Sequence, residues 1–200
     1  MQKIIVAIDS FKGSLTSSEA ALAVQKGIKT VYPDCEVVRF PIADGGEGIL
    51  DVLVNGLNGK YVQVKAHDPL MNLIGTCYGV SAEGKTAMIE MAAISGLPLV
   101  SPDQRNPLRT TSFGTGELIK DALSRGCQEF IIGIGGSATN DAGLGMLQAL
   151  GFRFLDVAGN ELGLGGEIMG KVSSIDCSGA LPELQHFRFT VACDVDNPFY

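Results

Sequence analysis

Apolar and polar positions along this chain follow two rhythms. Lys3 to Ile8 is a β-branched run that reads as a strand, and the polar loop Asp9-Ser-Phe-Lys-Gly-Ser14 follows it. Thr16-x-x-Glu19 has capping-box spacing and opens a helix with Ala20, Leu22, Ala23, Val24 and Ile28 on its apolar face. The unit repeats: a strand over Glu36 to Ile42, a turn at Ala43-Asp-Gly-Gly-Glu-Gly48, and a helix from Ile49 to Val54. Strand, polar loop and helix in succession predict a parallel α/β sheet. After Lys60 the rhythm changes. Tyr61 to Lys65, Gly75 to Val80 and Lys85 to Met91 read as strands without helices between them, which predicts an antiparallel insertion or a second domain. The expected division is residues 1–60 and 61–200. Gly96 to Asn106, with Pro98 and Pro102, reads as a loop. The α/β pattern then returns with a helix over Gly114 to Leu123, a strand over Glu129 to Ile134, a loop to Asp141, a helix over Ala142 to Leu150 and a short strand over Phe152 to Leu155. Residues 158–180 are Gly-rich and resist assignment, and Phe187 to Cys193 is a last strand. A parallel strand that feeds a loop normally needs a crossover after it, so Asp194 to Pro198 reads as a chain cut before its next element.

Composition narrows the class. A chain of 200 residues makes one large domain or two small ones, burying about 70% of its unfolded surface. With 46% apolar and 18% charged residues it carries no disorder signature. The net charge of −7 argues against nucleic-acid or anionic-membrane partners, which need clustered Lys and Arg. The opening apolar run, Ile4 to Ile8, is too short for a signal core or a membrane span. Five cysteines without close pairing argue against a disulfide framework, and two histidines cannot build a His-rich metal site, so a reducing, cytoplasmic setting is expected. The 26 glycines cluster where apolar segments meet helical patterns, positions where glycine lets a backbone turn sharply or approach a ligand closely.

Open α/β sheets bind ligands beyond the carboxyl ends of their strands. Polar loops of that kind begin at Asp9, Ala43, Gly135 and Asp194. Gly165 to Lys171 fits G-x-x-x-x-G-K, but Val172 stands where a Mg2+-binding Ser or Thr is required and no strand precedes it, so the match is rejected. Gly133-x-Gly135-x-x-Ala138, with Asp156 further on, has the outline of a dinucleotide fingerprint and keeps a nicotinamide-dependent oxidoreductase as the alternative, although Asp141 would repel a pyrophosphate there. The loop residues suit phosphoryl transfer better, which needs backbone amides and cations around phosphates and carboxylates for Mg2+ and the acceptor hydroxyl. Asp9, Asp44, Glu47, Asp141, Asp194 and Asp196 supply carboxylates, and Lys12, Arg105 and Arg109 supply cations. Gly114-Thr115-Gly116 and Gly135-Gly136-Ser137 can cradle anionic oxygens. Each aspartate alone has an ordinary explanation as a helix cap, and their recurrence at strand ends is the stronger sign.

Five segments, DSFKGSLTS from Asp9, PIADGGEG from Pro41, TSFGTGELI from Thr111, GIGGSATNDAG from Gly133 and ACDVDNPF from Ala192, together resemble the signature segments of bacterial type-I glycerate kinases. They occur in that family's order and span about its amino-terminal half. The resemblance implies ATP- and Mg2+-dependent phosphorylation of D-glycerate at the 2-hydroxyl. It also implies an α/β architecture with a Rossmann/flavodoxin-like, mostly parallel sheet and a second α/β domain, incomplete at the carboxyl end. A half-complete, inactive module is a further alternative, and a homodimer is an open expectation.

A small hydroxy acid needs a cation for its carboxylate and a base for its hydroxyl. Lys12 is the expected cation, with Ser14 and Asp9 beside the substrate. Asp44 and Asp194 share the roles of base and metal ligand, with Asp141 as a further metal candidate. Gly135, Gly136, Ser137 and Thr139 are expected to hold nucleotide phosphate at a predicted helix N-terminus. Arg105 and Arg109 read as solvated charge, Cys193 as core and His67 as a turn residue.

Overall fold

The computed structural model describes residues 3–195. β1 (Lys3–Ile8) and β2 (Glu36–Pro41) pair in parallel, Lys3 opposite Glu36 and Ile8 opposite Pro41, as a two-stranded sheet. α1 (Ser17–Val31) crosses between them and starts at the expected capping box. Thr16 Oγ1 accepts from the Glu19 N–H at 3.2 Å, and Glu19 Oε2 accepts from the Thr16 N–H at 2.9 Å. Ser17 Oγ ties the two strand ends together, donating to the Ile8 carbonyl at 2.6 Å and accepting from the Ile42 N–H at 3.1 Å.

α2 (Ile49–Gly56) leads into a hairpin of β3 (Lys60–His67) and β4 (Leu73–Val80). β5 (Thr86–Glu90) pairs antiparallel with β4 on one side and parallel with β6 (Glu129–Gly133) on the other. Between β5 and β6 lie the short α3 (Ala92–Ser95) and α4 (Phe113–Ser124). After β6 come α5 (Leu144–Ala149) and a small antiparallel pair, β7 (Arg153–Leu155) with β8 (Ser174–Asp176). β9 (Arg188–Ala192) returns to pair in parallel with β6. The result is a mixed sheet in the order β3-β4-β5-β6-β9. Because two antiparallel steps restore direction, β3, β5, β6 and β9 all end along one rim, at His67, Glu90, Gly133 and Ala192.

Alternation along β5 divides the core between the two sheet faces. Ala87 and Ile89 face α4, packing with Leu118, Ile119, Ala122, Tyr78 and Phe130. Met88 faces α2 and packs with Leu50 and Val54. Each large apolar side chain buried this way contributes about 1.5–3 kcal/mol. No helix among the described residues is long and apolar enough to cross a membrane.

α5 begins at Leu144 rather than at the expected Ala142. Ala142 (φ 51°) and Gly143 (φ 76°) are left-handed, a conformation that cannot sit inside a right-handed helix. The unassigned stretch 158–180 holds β8 and a helical turn over Gly166–Lys171, elements too short to leave a periodic pattern.

Candidate active site

The loop after β2 lies across the ends of β6 and β9, backbone against backbone. The Gly135 N–H donates to the Gly45 carbonyl at 3.0 Å. A Cβ on Gly45 would stand 2.7 Å from the Ala192 carbonyl oxygen, and one on Gly135 would stand 2.6 Å from Gly46 Cα. Any side chain at either position would drive the loops apart, so the glycines mark the crossing points. At the edge of this crossing Lys12 Nζ reaches Asp44 Oδ2 at 3.5 Å, which brings in the loop after β1. Four strand ends therefore meet: Lys12 and Asp44 touch, Gly45 touches Gly135 and Ala192, and Asp194 follows two residues beyond Ala192.

Asp44 is held from two sides. The Gly46 N–H donates to its Oδ1 at 3.0 Å, and this bond, helped by the Lys12 charge, keeps its carboxyl below the ordinary aspartate range. Lys12 itself is 76% exposed and free to turn toward a ligand. Beside it lies a cavity of about 190 Å³ whose wall includes Ser10, Lys12, Ser14, Glu47 and Asp51. It offers one cation, hydroxyl donors and three carboxylates, those of Glu19, Glu47 and Asp51, within a space suited to a small hydroxy acid. Asp9 is not part of this wall; its Oδ1 accepts from the N–H of Ser10, which is, at 2.6 Å. Asp194 is exposed, and Asp196 lies outside the described residues.

Asp141 is 1% exposed. Its Oδ2 accepts from the Ser112 N–H (2.8 Å), Ser112 Oγ (3.0 Å), Thr111 Oγ1 (3.2 Å) and the Gly145 N–H (3.2 Å), and its Oδ1 accepts from the Gly143 N–H (3.1 Å). The carboxylate thus joins the starts of α4 and α5 and takes up the Ser112, Gly143 and Gly145 amides there. Ser112 Oγ in turn accepts from the Met146 N–H at 3.0 Å. Gly135, Gly136, Ser137 and Thr139 are accordingly loop residues ahead of α5, not its N-terminus. Ser137 Oγ accepts from the Thr139 N–H at 3.0 Å and lies 3.0 Å from Thr139 Oγ1. Both side chains stand at the wall of a larger, mostly apolar cavity of about 550 Å³ that runs between α5 and β9 past Ile134, Met146 and Val191.

The dinucleotide outline loses its physical basis. The open faces of Gly133 and Gly135, which a pyrophosphate would need, are covered by the Gly45–Gly46 backbone. Asp156 instead closes its own turn, accepting from the Ala158 and Asn160 N–H groups. Arg105 Nε donates to the Val100 carbonyl at 3.2 Å, and Arg109 is exposed. Cys193, read as core, is exposed, one residue beyond β9, the last strand of the sheet among the described residues. His67 ends β3 with its Nδ1 2.9 Å from Glu117 Oε1. Asp51 and Glu90 were not singled out from the sequence. Both sit within or beside apolar runs, and only the fold turns them toward the loop after β2.

The family model described as "Glycerate kinase family" matches residues 4–200. The glycerate kinase of Haemophilus influenzae is 52% identical over 98% of this chain and 52% of its own length. The glycerate 2-kinase of Escherichia coli is 49% identical over 98% of this chain and 51% of its own length. The crystal structure of a putative glycerate kinase 2 from Salmonella typhimurium LT2 superposes with a TM-score of 0.86 at 47% identity, covering 99% of this chain and 54% of that one. The chain spans about half the length of the curated relatives it matches.

Proposed function

Since the chain belongs to the glycerate kinase family, we propose that it carries the substrate and phosphate loops for phosphorylation of D-glycerate at its 2-hydroxyl, with ATP as donor and 2-phosphoglycerate and ADP as products. The observation that supports this best is the meeting of Lys12, Asp44 and the Gly45–Gly135 crossing beside the 190 Å³ cavity. Lys12 pairs the glycerate carboxylate, and Ser14 donates a hydroxyl to the same end. Asp44, kept ionised by the Gly46 N–H and Lys12, accepts from the substrate hydroxyl and aims it at the phosphoryl group. Phosphoryl transfer asks mainly for such positioning and for charge stabilisation. Asp9 shapes the first loop, Gly136 and the Ser137 and Thr139 hydroxyls face the phosphates, and Gly135, whose N–H is taken by the Gly45 carbonyl, fixes the loop that carries them.

Among the described residues no three His, Cys, Asp or Glu side chains group closely enough to cage a metal. This suits Mg2+, which commonly takes one or two protein carboxylates and completes its shell with water and phosphate oxygens. Asp194, exposed two residues beyond β9, is the carboxylate we assign to it, with the Asp44 loop passing alongside at Gly45. Bound there, Mg2+ neutralises charge on the donor phosphates. Asp141 is left out of this set because it is buried and five donors already engage its two oxygens. On the same reading β1, α1 and β2 belong to a flavodoxin-like domain and the five-stranded sheet to a second α/β domain.

Thermal melts of the chain with D-glycerate, with Mg-ATP, with NAD(H) and with no ligand test the proposal. A ligand specific for the native state stabilises it by mass action. D-glycerate and Mg-ATP each raise the melting temperature and NAD(H) leaves it unchanged. Stabilisation by NAD(H) alone contradicts the kinase reading.

A further inference from the structure

The loop that carries Asp44 is fastened at three points, and one of them lies outside everything assigned so far. The residue before α2 is Gly48, left-handed (φ 89°) and without a side chain, so the local sequence supplies no cap for the helix start. The cap comes from Glu90, the last residue of β5, whose Oε2 accepts from the Gly48 N–H at 3.0 Å and from the Leu50 N–H at 3.2 Å. Glu90 shares the α2-facing side of the sheet with Met88, two residues before it. A carboxylate at a helix N-terminus gains from the helix dipole, and its bonds to backbone N–H groups are charge-assisted.

We infer that Glu90 is a positioning residue, reaching up from the middle strand of the sheet to hold the 43–48 loop, and through it Asp44, over the rim. The inference rests on the glycerate reading for what the loop does, but not for the contact itself. Glu90 fixes the loop's exit, Gly135 fixes its middle through the Gly45 carbonyl, and Lys12 meets its start at Asp44. An apolar residue would fill the site at lower cost. Burial pushes the Glu90 carboxyl up against the pull of the Leu50 and Gly48 N–H groups, and the nearby Asp51 and Glu47 add to the rise. Groups kept ionisable against such a penalty concentrate at functional sites.

Amide hydrogen exchange and calorimetric titration on the chain test this, with Glu90→Ala, Glu90→Asp and Glu90→Gln. Glu90→Ala removes the acceptor. Protection of the Gly48 and Leu50 amides should fall about tenfold or more, the loss expected for hydrogen bonds to a charged group. Protection of Ile89 in β5 itself and of Ile132 in the neighbouring β6 should hold. Glu90→Asp, one methylene shorter, gives the same local loss, and it decides the matter if the alanine variant fails to fold. Glu90→Gln keeps a neutral acceptor of the same reach and restores part of the protection. D-glycerate affinity falls with protection in the Ala and Asp variants and recovers in part in Gln, while Mg-ATP affinity is unchanged. Wild-type protection in Glu90→Ala or Glu90→Asp overturns the inference, as does lost protection with unaltered D-glycerate affinity. If the wild-type chain takes up no D-glycerate, the substrate reading fails by itself, and exchange protection still decides whether Glu90 holds the loop.

Discussion

Lys12 and Asp44, the pair proposed to act on substrate, need contribute little to stability. Lys12 is 76% exposed, and an exposed pair of this kind is worth at most about 1 kcal/mol. Lys12→Ala should therefore leave the urea midpoint nearly unchanged. In an ADP-release assay on a form that turns over, it should lower kcat about 10²–10³-fold if the ammonium meets charge that develops in transfer. A loss under about threefold removes it from the mechanism. Asp44 gives a second check. Its carboxyl is depressed by the Gly46 N–H and by Lys12, so its contribution to holding the loop is complete above the ordinary value of 3.8 and disappears only as pH falls below it. The Gly46 amide resonance should titrate with a midpoint below 3.8, and a midpoint above it contradicts the contact. Both residues were legible in the sequence because polar residues at strand ends stand out against apolar runs. Glu90 was not legible, since its partners Gly48 and Leu50 lie some forty residues away and only β5 pairing brings them together.

Helices and loops are joined here by carboxylates and bare backbone. Asp141 holds the starts of both α4 and α5 through five hydrogen bonds. Asp141→Ala strands several buried donors, each costing about 1–3 kcal/mol. We expect a loss of at least about 2 kcal/mol in urea unfolding, with Asp141→Asn recovering part of it. A change below about 0.5 kcal/mol, the range of an ordinary surface substitution, contradicts the role. Gly45 (φ 100°) is strained for any other residue and faces the Ala192 carbonyl at the crossing. Gly45→Ala should cost about 1–3 kcal/mol from the left-handed backbone alone and should abolish D-glycerate-induced stabilisation. Retained stabilisation would show that the crossing is not part of the site. The glycine runs announced close approach, but the sequence left open whether a ligand or the chain itself approached. At Gly133 and Gly135 it is the chain. The start of α5 was misjudged for a related reason: apolar periodicity runs through Ala142, while a left-handed turn forbids the helix there.

Across the molecule, the βα units and the change of rhythm after residue 60 could be read from periodicity, because each is a local pattern. The joining of the β3–β4 hairpin to the parallel strands through β5 could not, because it depends on pairings between segments far apart. That joining has a functional consequence: it aligns the ends of β5, β6 and β9 on the rim that the loops of the smaller sheet cross. The proposed site thus draws its loops from two sheets. A D-glycerate titration of the chain followed by amide chemical shifts asks whether these loops act as one site. The account predicts that the amides of Lys12, Ser14, Gly46 and Gly135 shift together with a single dissociation constant, and that Lys12→Ala abolishes all four responses. Shifts confined to one loop, or four responses with unrelated constants, would contradict it.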